Sequence, residues 1–137
     1  MRMMVALLLC LCSSISVAEQ IKPFTTDGCS VFPDGTLEQE KLWLSCCRLH
    51  DYAYWKGGTS KERLIADQQL KQCVLELDET FVANLMLIGV RVGGTPYLPT
   101  PFRWGYGWEF MRGYQPLSDA EKQQVISQGV LLSSPFL

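Results

Sequence analysis

The sequence predicts an all-α fold: two antiparallel, disulfide-linked helices behind an N-terminal loop, then a third apolar helix and a long aromatic loop. Three observations predict it. Apolar, cysteine and histidine residues recur at three- and four-residue steps between positions 42 and 54, a capping signature opens a second helix after a glycine pair, and an even set of cysteines follows an export leader.

The elements follow in chain order. Arg2, an apolar stretch over residues 5–11 and a small, polar segment ending in Ser16, Val17 and Ala18 have the layout of a signal peptide cut between Ala18 and Glu19. The apolar stretch is shorter than the roughly 20 residues that a bilayer span needs. An uncleaved signal anchor is the alternative. Cys10 and Cys12 lack the small-residue pattern that precedes a lipid-modified cysteine, so they are read as removed with residues 1–18. The remaining 19–137, about 119 residues, make one domain with one core. An exported chain of this kind is secreted or periplasmic.

The run DGCSVFPDG over residues 27–35 is crowded with turn formers and reads as a loop. Leu42, Trp43, Cys46, Cys47, His50 and Tyr54 then lie on one helical face, which Gly57 and Gly58 terminate. Thr59, three residues before Glu62, supplies a capping box for a second helix ending near Leu77, with Leu64, Asp67, Leu70 and Val74 on its inner stripe. So short a link makes the two helices antiparallel neighbours. Residues 81–92 form a third apolar helix that ends at Gly93 and Gly94; with Gly89 and Arg91 inside it, core packing accounts for it better than a membrane span.

Pro96, Pro99 and Pro101 exclude regular helix from the first part of the aromatic segment over residues 95–114, which is expected to be an ordered loop. Its Trp104, Tyr106, Trp108 and Phe110 either line the core, the reading favoured here, or form a lipid-facing surface. Arg91, Arg103 and Arg112 could contact lipid phosphate, or be solvated or paired surface charges. Ser118, with Glu121 three residues on, begins a last helix over 117–128.

Charge and cysteine usage narrow the function classes. Loss of Arg2 with the leader takes 12 basic residues to 11 against 14 acidic ones, so no basic face attracts nucleic acid. Cys29, Cys46, Cys47 and Cys73 in an oxidising compartment imply two disulfides. A bond between the neighbours Cys46 and Cys47 is sterically poor, which leaves two of the three pairings open. Zinc ligation is disfavoured because no CxxC pair exists and His50 is the only histidine.

That histidine sits among groups suited to acid–base chemistry. Asp51 leaves the helix about 100° from His50 and is free to face the loop. Asp67, on the stripe facing His50, is costly to bury without a donor, and an imidazole is the available one. A carboxylate on one ring nitrogen fixes the tautomer and supports the charge formed when the other nitrogen accepts a proton. Asp51 and the main-chain carbonyls of a turn-rich loop are the oxygen ligands that a hard cation such as calcium prefers. A polar brace within the helix pair is the bland alternative.

The run CCRLHDYAYWKGG, followed by ADQQLKQC, resembles the secreted phospholipase A2 superfamily, whose central helix reads CC-x-x-HD-x-x-Y and whose second helix carries an aspartate six residues before a cysteine. The similarity spans roughly residues 27–74. The resemblance implies the pairs Cys29–Cys47 and Cys46–Cys73, with Cys29 inside an N-terminal calcium loop. It further implies that His50 deprotonates a water attacking an ester carbonyl, that Asp67 orients His50, and that Tyr54 hydrogen-bonds to Asp67. Calcium would be held by Asp51 and the carbonyls of Gly28, Ser30 and Phe32, with the Ser30 amide helping to stabilise the oxyanion. Ser30, Phe32 and Pro33 stand where the family loop is richer in glycine, and Ala53 replaces a common cysteine. The expected function is therefore calcium-dependent hydrolysis of a phospholipid acyl ester at a membrane interface. A catalytically inactive relative that binds lipid or a protein partner is the alternative.

Overall fold

The computed structural model describes residues 19–129. The leader, its cut between Ala18 and Glu19, and Cys10 and Cys12 lie outside the described residues. Four helices follow in order, α1 (Leu44–Lys56), α2 (Ser60–Leu75), α3 (Thr80–Gly93) and α4 (Asp119–Gly129), and the described residues contain no strand.

Helix α1 starts two residues later than the apolar period suggests. Trp43 is its N-cap, and the indole donates to Pro33 O at 2.6 Å, so the chain is tied to the preceding loop before the helix begins. At the other end Gly57 takes φ 66°, and its N–H returns to Ala53 O and Tyr54 O. A side chain there would be strained, and its Cβ would stand 2.9 Å from Gly105 Cα. Three residues later α2 opens on a complete capping box: Glu62 N–H donates to Thr59 Oγ1 at 3.2 Å, and Thr59 N–H donates to Glu62 Oε2 at 2.7 Å. Hydrogen bonding by Thr59 holds the Glu62 carboxyl below its ordinary range despite a small opposing effect of burial.

Helices α1 and α2 meet at Cys46–Cys73, His50–Asp67 and Tyr54–Arg63, so position rises along one helix as it falls along the other. A second disulfide, Cys29–Cys47, ties the loop over residues 27–35 to α1. Trp43, Cys46, Cys47, Leu70, Val74, Ala83 and Met86 form one apolar core among α1, α2 and α3. Ile21, Trp55, Trp108 and Val125 form another, which joins the N-terminal segment to α1, the aromatic loop and α4.

Two expectations need correction. Leu64 is not on the inner stripe of α2: it is half exposed, and the buried positions are Arg63, Ala66, Asp67, Leu70 and Val74. Core packing accounts for only one side of α3, where Val82 and Val90 pack beside the buried residues. Only Ala83 and Met86 are buried, while Phe81, Leu85, Ile88 and Val92 are exposed. Their steps of four, three and four residues place them on one stripe. No described helix is long and apolar enough to cross a membrane.

The aromatic segment closes the C-terminal end of α1, where helix carbonyls lack intrahelical partners. Trp108 Nε1 donates to Lys56 O and Trp104 Nε1 to Gly58 O, each at 2.8 Å, while the amides of Gly105 and Gly107 donate to Tyr54 O and Trp55 O. Both tryptophans are fully buried, so the core-lining reading holds for them; Tyr106 is half-buried and Phe110 is partly exposed. The arginines are not free for lipid. Arg103 is buried on Gly105 O and Trp108 O, Arg112 pairs with Glu19 and Glu121, and Arg91 pairs with Asp67.

Candidate active site

Asp67 is the centre of the site, with no exposed surface. Its Oδ1 lies 2.8 Å from His50 Nε2 and accepts from Tyr54 Oη at 2.8 Å; its Oδ2 accepts from Arg91 Nη1 at 2.6 Å. Burial alone would raise the Asp67 carboxyl, but hydrogen bonds from His50, Arg91 and Tyr54 outweigh it and hold the group below the ordinary carboxylate range. An ionised Asp67 only accepts, so the shared proton resides on His50 Nε2, and in the neutral ring that leaves the lone pair on Nδ1. Nδ1 makes no hydrogen bond with the described residues.

Tyr54 is seated by its surroundings as well as by Asp67. Its ring packs edge-on against Trp104, and Gly94 approaches the phenol so closely that a side chain at that position would collide with it. Burial first, and then the neighbouring Asp67 charge, push the phenol well above its normal range, so it stays a neutral donor. Beneath it, Arg63 is buried and donates to Tyr54 Oη at 3.0 Å, Tyr114 Oη at 2.6 Å, Val90 O at 2.8 Å and Arg91 O at 2.9 Å. This one guanidinium joins α1, the last turn of α3 and the C-terminal loop. Sequence reading missed Arg63. Its place four residues before Asp67 on a helix was the available signal.

Asp51 is buried on the adjoining side of α1, where its Oδ2 accepts from Thr26 Oγ1 at 2.6 Å. No cationic side chain among the described residues pairs with it. Burial, and to a lesser degree the nearby Asp27 and Asp34 charges, raise its carboxyl to about 7 against the lowering effect of the Thr26 hydrogen bond. The loop beside it curls through positive φ at Gly28 (76°) and Ser30 (58°). Within that loop the carbonyls of Cys29, Pro33 and Asp34 accept hydrogen bonds, whereas those of Gly28, Ser30 and Phe32 accept none from the described residues.

A buried carboxylate without a counter-charge lines the same cavity as Gly28, Ser30 and Phe32, whose carbonyls lack donors among the described residues, and oxygen groups of these kinds are those a hard cation takes. Among the described residues no three His, Cys, Asp or Glu side chains gather as a metal cluster. A set of one carboxylate and main-chain oxygens does not require such a cluster.

His50 and Asp51 share a cavity of about 240 Å³ with Gly28, Cys29, Ser30 and Phe32 of the loop. Its other walls are mostly apolar and include Leu70, Leu85, Met86, Val90 and Phe102. The structure thus brings His50, Tyr54 and Asp67 into one hydrogen-bonded group and sets Asp51 and the loop beside it. Such a group can take a proton from a water at His50 Nδ1, beside a mostly apolar cavity. No protein-family model, curated protein or solved structure matches this chain.

Proposed function

We propose that this protein is an exported, calcium-dependent hydrolase of phospholipid acyl esters, of the secreted phospholipase A2 type. The observation that carries the reading is the buried His50 Nε2 to Asp67 Oδ1 contact of 2.8 Å at the wall of an apolar cavity. Two disulfides fit an extracellular or periplasmic site of action.

The chemistry follows from the groups themselves. His50 Nδ1 takes a proton from water as the water oxygen bonds to the ester carbonyl carbon. Asp67 supports the resulting imidazolium, and Tyr54 keeps the carboxylate in place. When the carbon–oxygen ester bond breaks, the imidazolium returns its proton to the departing alkoxide, which leaves a fatty acid and a lysophospholipid. No enzyme-bound acyl group forms. Asp51 and the carbonyls of Gly28, Ser30 and Phe32 would hold calcium, which when bound would polarise the carbonyl and stabilise its developing negative charge. The Ser30 amide is the protein's own donor toward that charge.

The test is fatty-acid release from mixed phospholipid vesicles by the purified protein. Release is expected with millimolar calcium and is expected to fall to background with chelator. No release under either condition overturns the hydrolase and favours a lipid- or protein-binding relative.

The exposed stripe of α3 supports a lipid surface as the partner. Phe81, Ile88 and Val92 are 79%, 62% and 73% exposed, and Leu85 of the same stripe lines the cavity, as does the exposed Val31 of the loop. An isoleucine side chain gains about 1.5–3 kcal/mol on leaving water, so Ile88→Asp is expected to weaken vesicle binding by about tenfold or more. Hydrolysis of a short-chain monomeric ester should be unchanged. Cosedimentation and the soluble assay separate the two effects, and undiminished vesicle binding sinks the assignment of this face.

A further inference from the structure

Asp67 is gripped on both oxygens, and the two grips differ in what they can do. Oδ1 serves His50 and Tyr54, the groups already given roles. Oδ2 has one partner within hydrogen-bond distance, Arg91 Nη1 at 2.6 Å, while Arg63 Nε lies 3.9 Å away. Arg63 cannot take over without loss, because its donors already serve Tyr54, Tyr114 and the carbonyls of Val90 and Arg91.

The terminal torsion of an aspartate is broad and roughly two-fold, so packing alone holds its carboxylate plane weakly. A guanidinium is a planar donor that constrains the plane it binds. Arg91 comes from the last turn of α3, whose carbonyls at positions 90 and 91 are themselves pinned by Arg63. Its side chain is 39% exposed, and it is not a wall of the cavity, so it does not meet the substrate there.

We infer that Arg91 is a positioning residue: by holding Asp67 Oδ2 it fixes the carboxylate plane, and Oδ1 thereby keeps His50 in the tautomer with Nε2 protonated and Nδ1 free. A base that must accept at Nδ1 works only in that tautomer, so Arg91 sets the competent fraction of His50 without touching the reacting atoms. The kinetic consequence rests on the hydrolase reading. The structural one does not.

His50 is the only histidine in the chain, so its ring nitrogens can be read one by one by ¹⁵N NMR on the intact protein. The native protein is expected to show Nε2 protonated, with a slowly exchanging ring proton. In Arg91→Gln that proton should exchange rapidly and the tautomers should mix. Arg91→Lys, which keeps the charge, should recover most of the native signature. On vesicles with calcium, Arg91→Gln is expected to lower kcat about tenfold with KM within about twofold, because about 1.4 kcal/mol of lost preorganisation corresponds to a factor of ten. Native-like ring signals in Arg91→Gln overturn the inference, as does a Lys variant that recovers neither the signals nor kcat. If the native protein releases no fatty acid but the ring signals change as described, the positioning role stands and the hydrolase falls.

Discussion

His50→Gln is expected to lower calcium-dependent fatty-acid release by about 10²- to 10⁴-fold, the usual contribution of a positioned general base, while the fold survives. Glutamine can still donate one N–H toward Asp67 Oδ1, so the buried carboxylate keeps a partner and the α1–α2 contact is not left unsatisfied. What glutamine lacks is a basic lone pair in the place of Nδ1. Its amide oxygen can accept a hydrogen bond from water but cannot hold the proton while the tetrahedral species forms. Thermal unfolding of the variant should stay within a few degrees of the native protein. Vesicle binding should also persist, since the stripe on α3 is untouched. A variant that folds, binds vesicles and still releases fatty acid at the native rate ends the case for His50 as the base.

Much of the site was legible because its polar residues interrupt strong helical signals. His50 and Asp67 stand at inward positions of apolar periods, where a polar group is costly unless paired, and the capping box at Thr59 and Glu62 set the register that makes them face each other. The two arginines were harder to see. Arg63 belongs to the interior because Tyr54, Tyr114 and two carbonyls of α3 satisfy its donors, and three of those partners come from segments remote in sequence. Hydropathy assigns that side to Leu64 instead, and the tertiary hydrogen bonds reverse the assignment. Arg91 carried a readable clue as a lone cation in an apolar helix, but its partner lies 24 positions away.

The third helix was misread for a different reason. An apolar run shows that a surface avoids water; it does not say what covers it. Among the described residues α3 buries Ala83 and Met86 and half-buries Val82 and Val90, and the stripe through Ile88 remains outward. The tryptophans went the other way. Trp104 and Trp108 are buried because their indole N–H groups complete the carbonyl end of α1, a demand that a helix stopped by two glycines creates and that the aromatic loop meets.

Asp67→Leu is expected to be the most damaging single substitution for stability, by about 3–5 kcal/mol, because removing one member of a buried charge network leaves the others uncompensated. Arg91 can swing into solvent, since its side chain is already 39% exposed. Arg63 cannot: it is buried, and its hydrogen bonds hold it beside the lost charge. His50 Nε2 loses its acceptor, and the Tyr54 hydroxyl, still accepting from Arg63, has only Val90 O at 3.3 Å left to donate to. For a domain of this size such a loss lowers the unfolding midpoint by about 10 °C or more. Asp67→Asn, which keeps one acceptor oxygen but no charge, should fall between the native protein and the Leu variant. The depressed Asp67 carboxyl adds a pH signature. Its stabilising effect is complete above the ordinary aspartate range and disappears as pH falls through the lowered folded value, so the native protein's advantage over Asp67→Asn should shrink on acidification. Urea unfolding with the disulfides intact, repeated from neutral to acid pH, reads both effects. An Asp67→Leu protein as stable as the native one would mean that α1 and α2 are held by Cys46–Cys73 and their apolar contacts alone, with the polar cluster serving only chemistry.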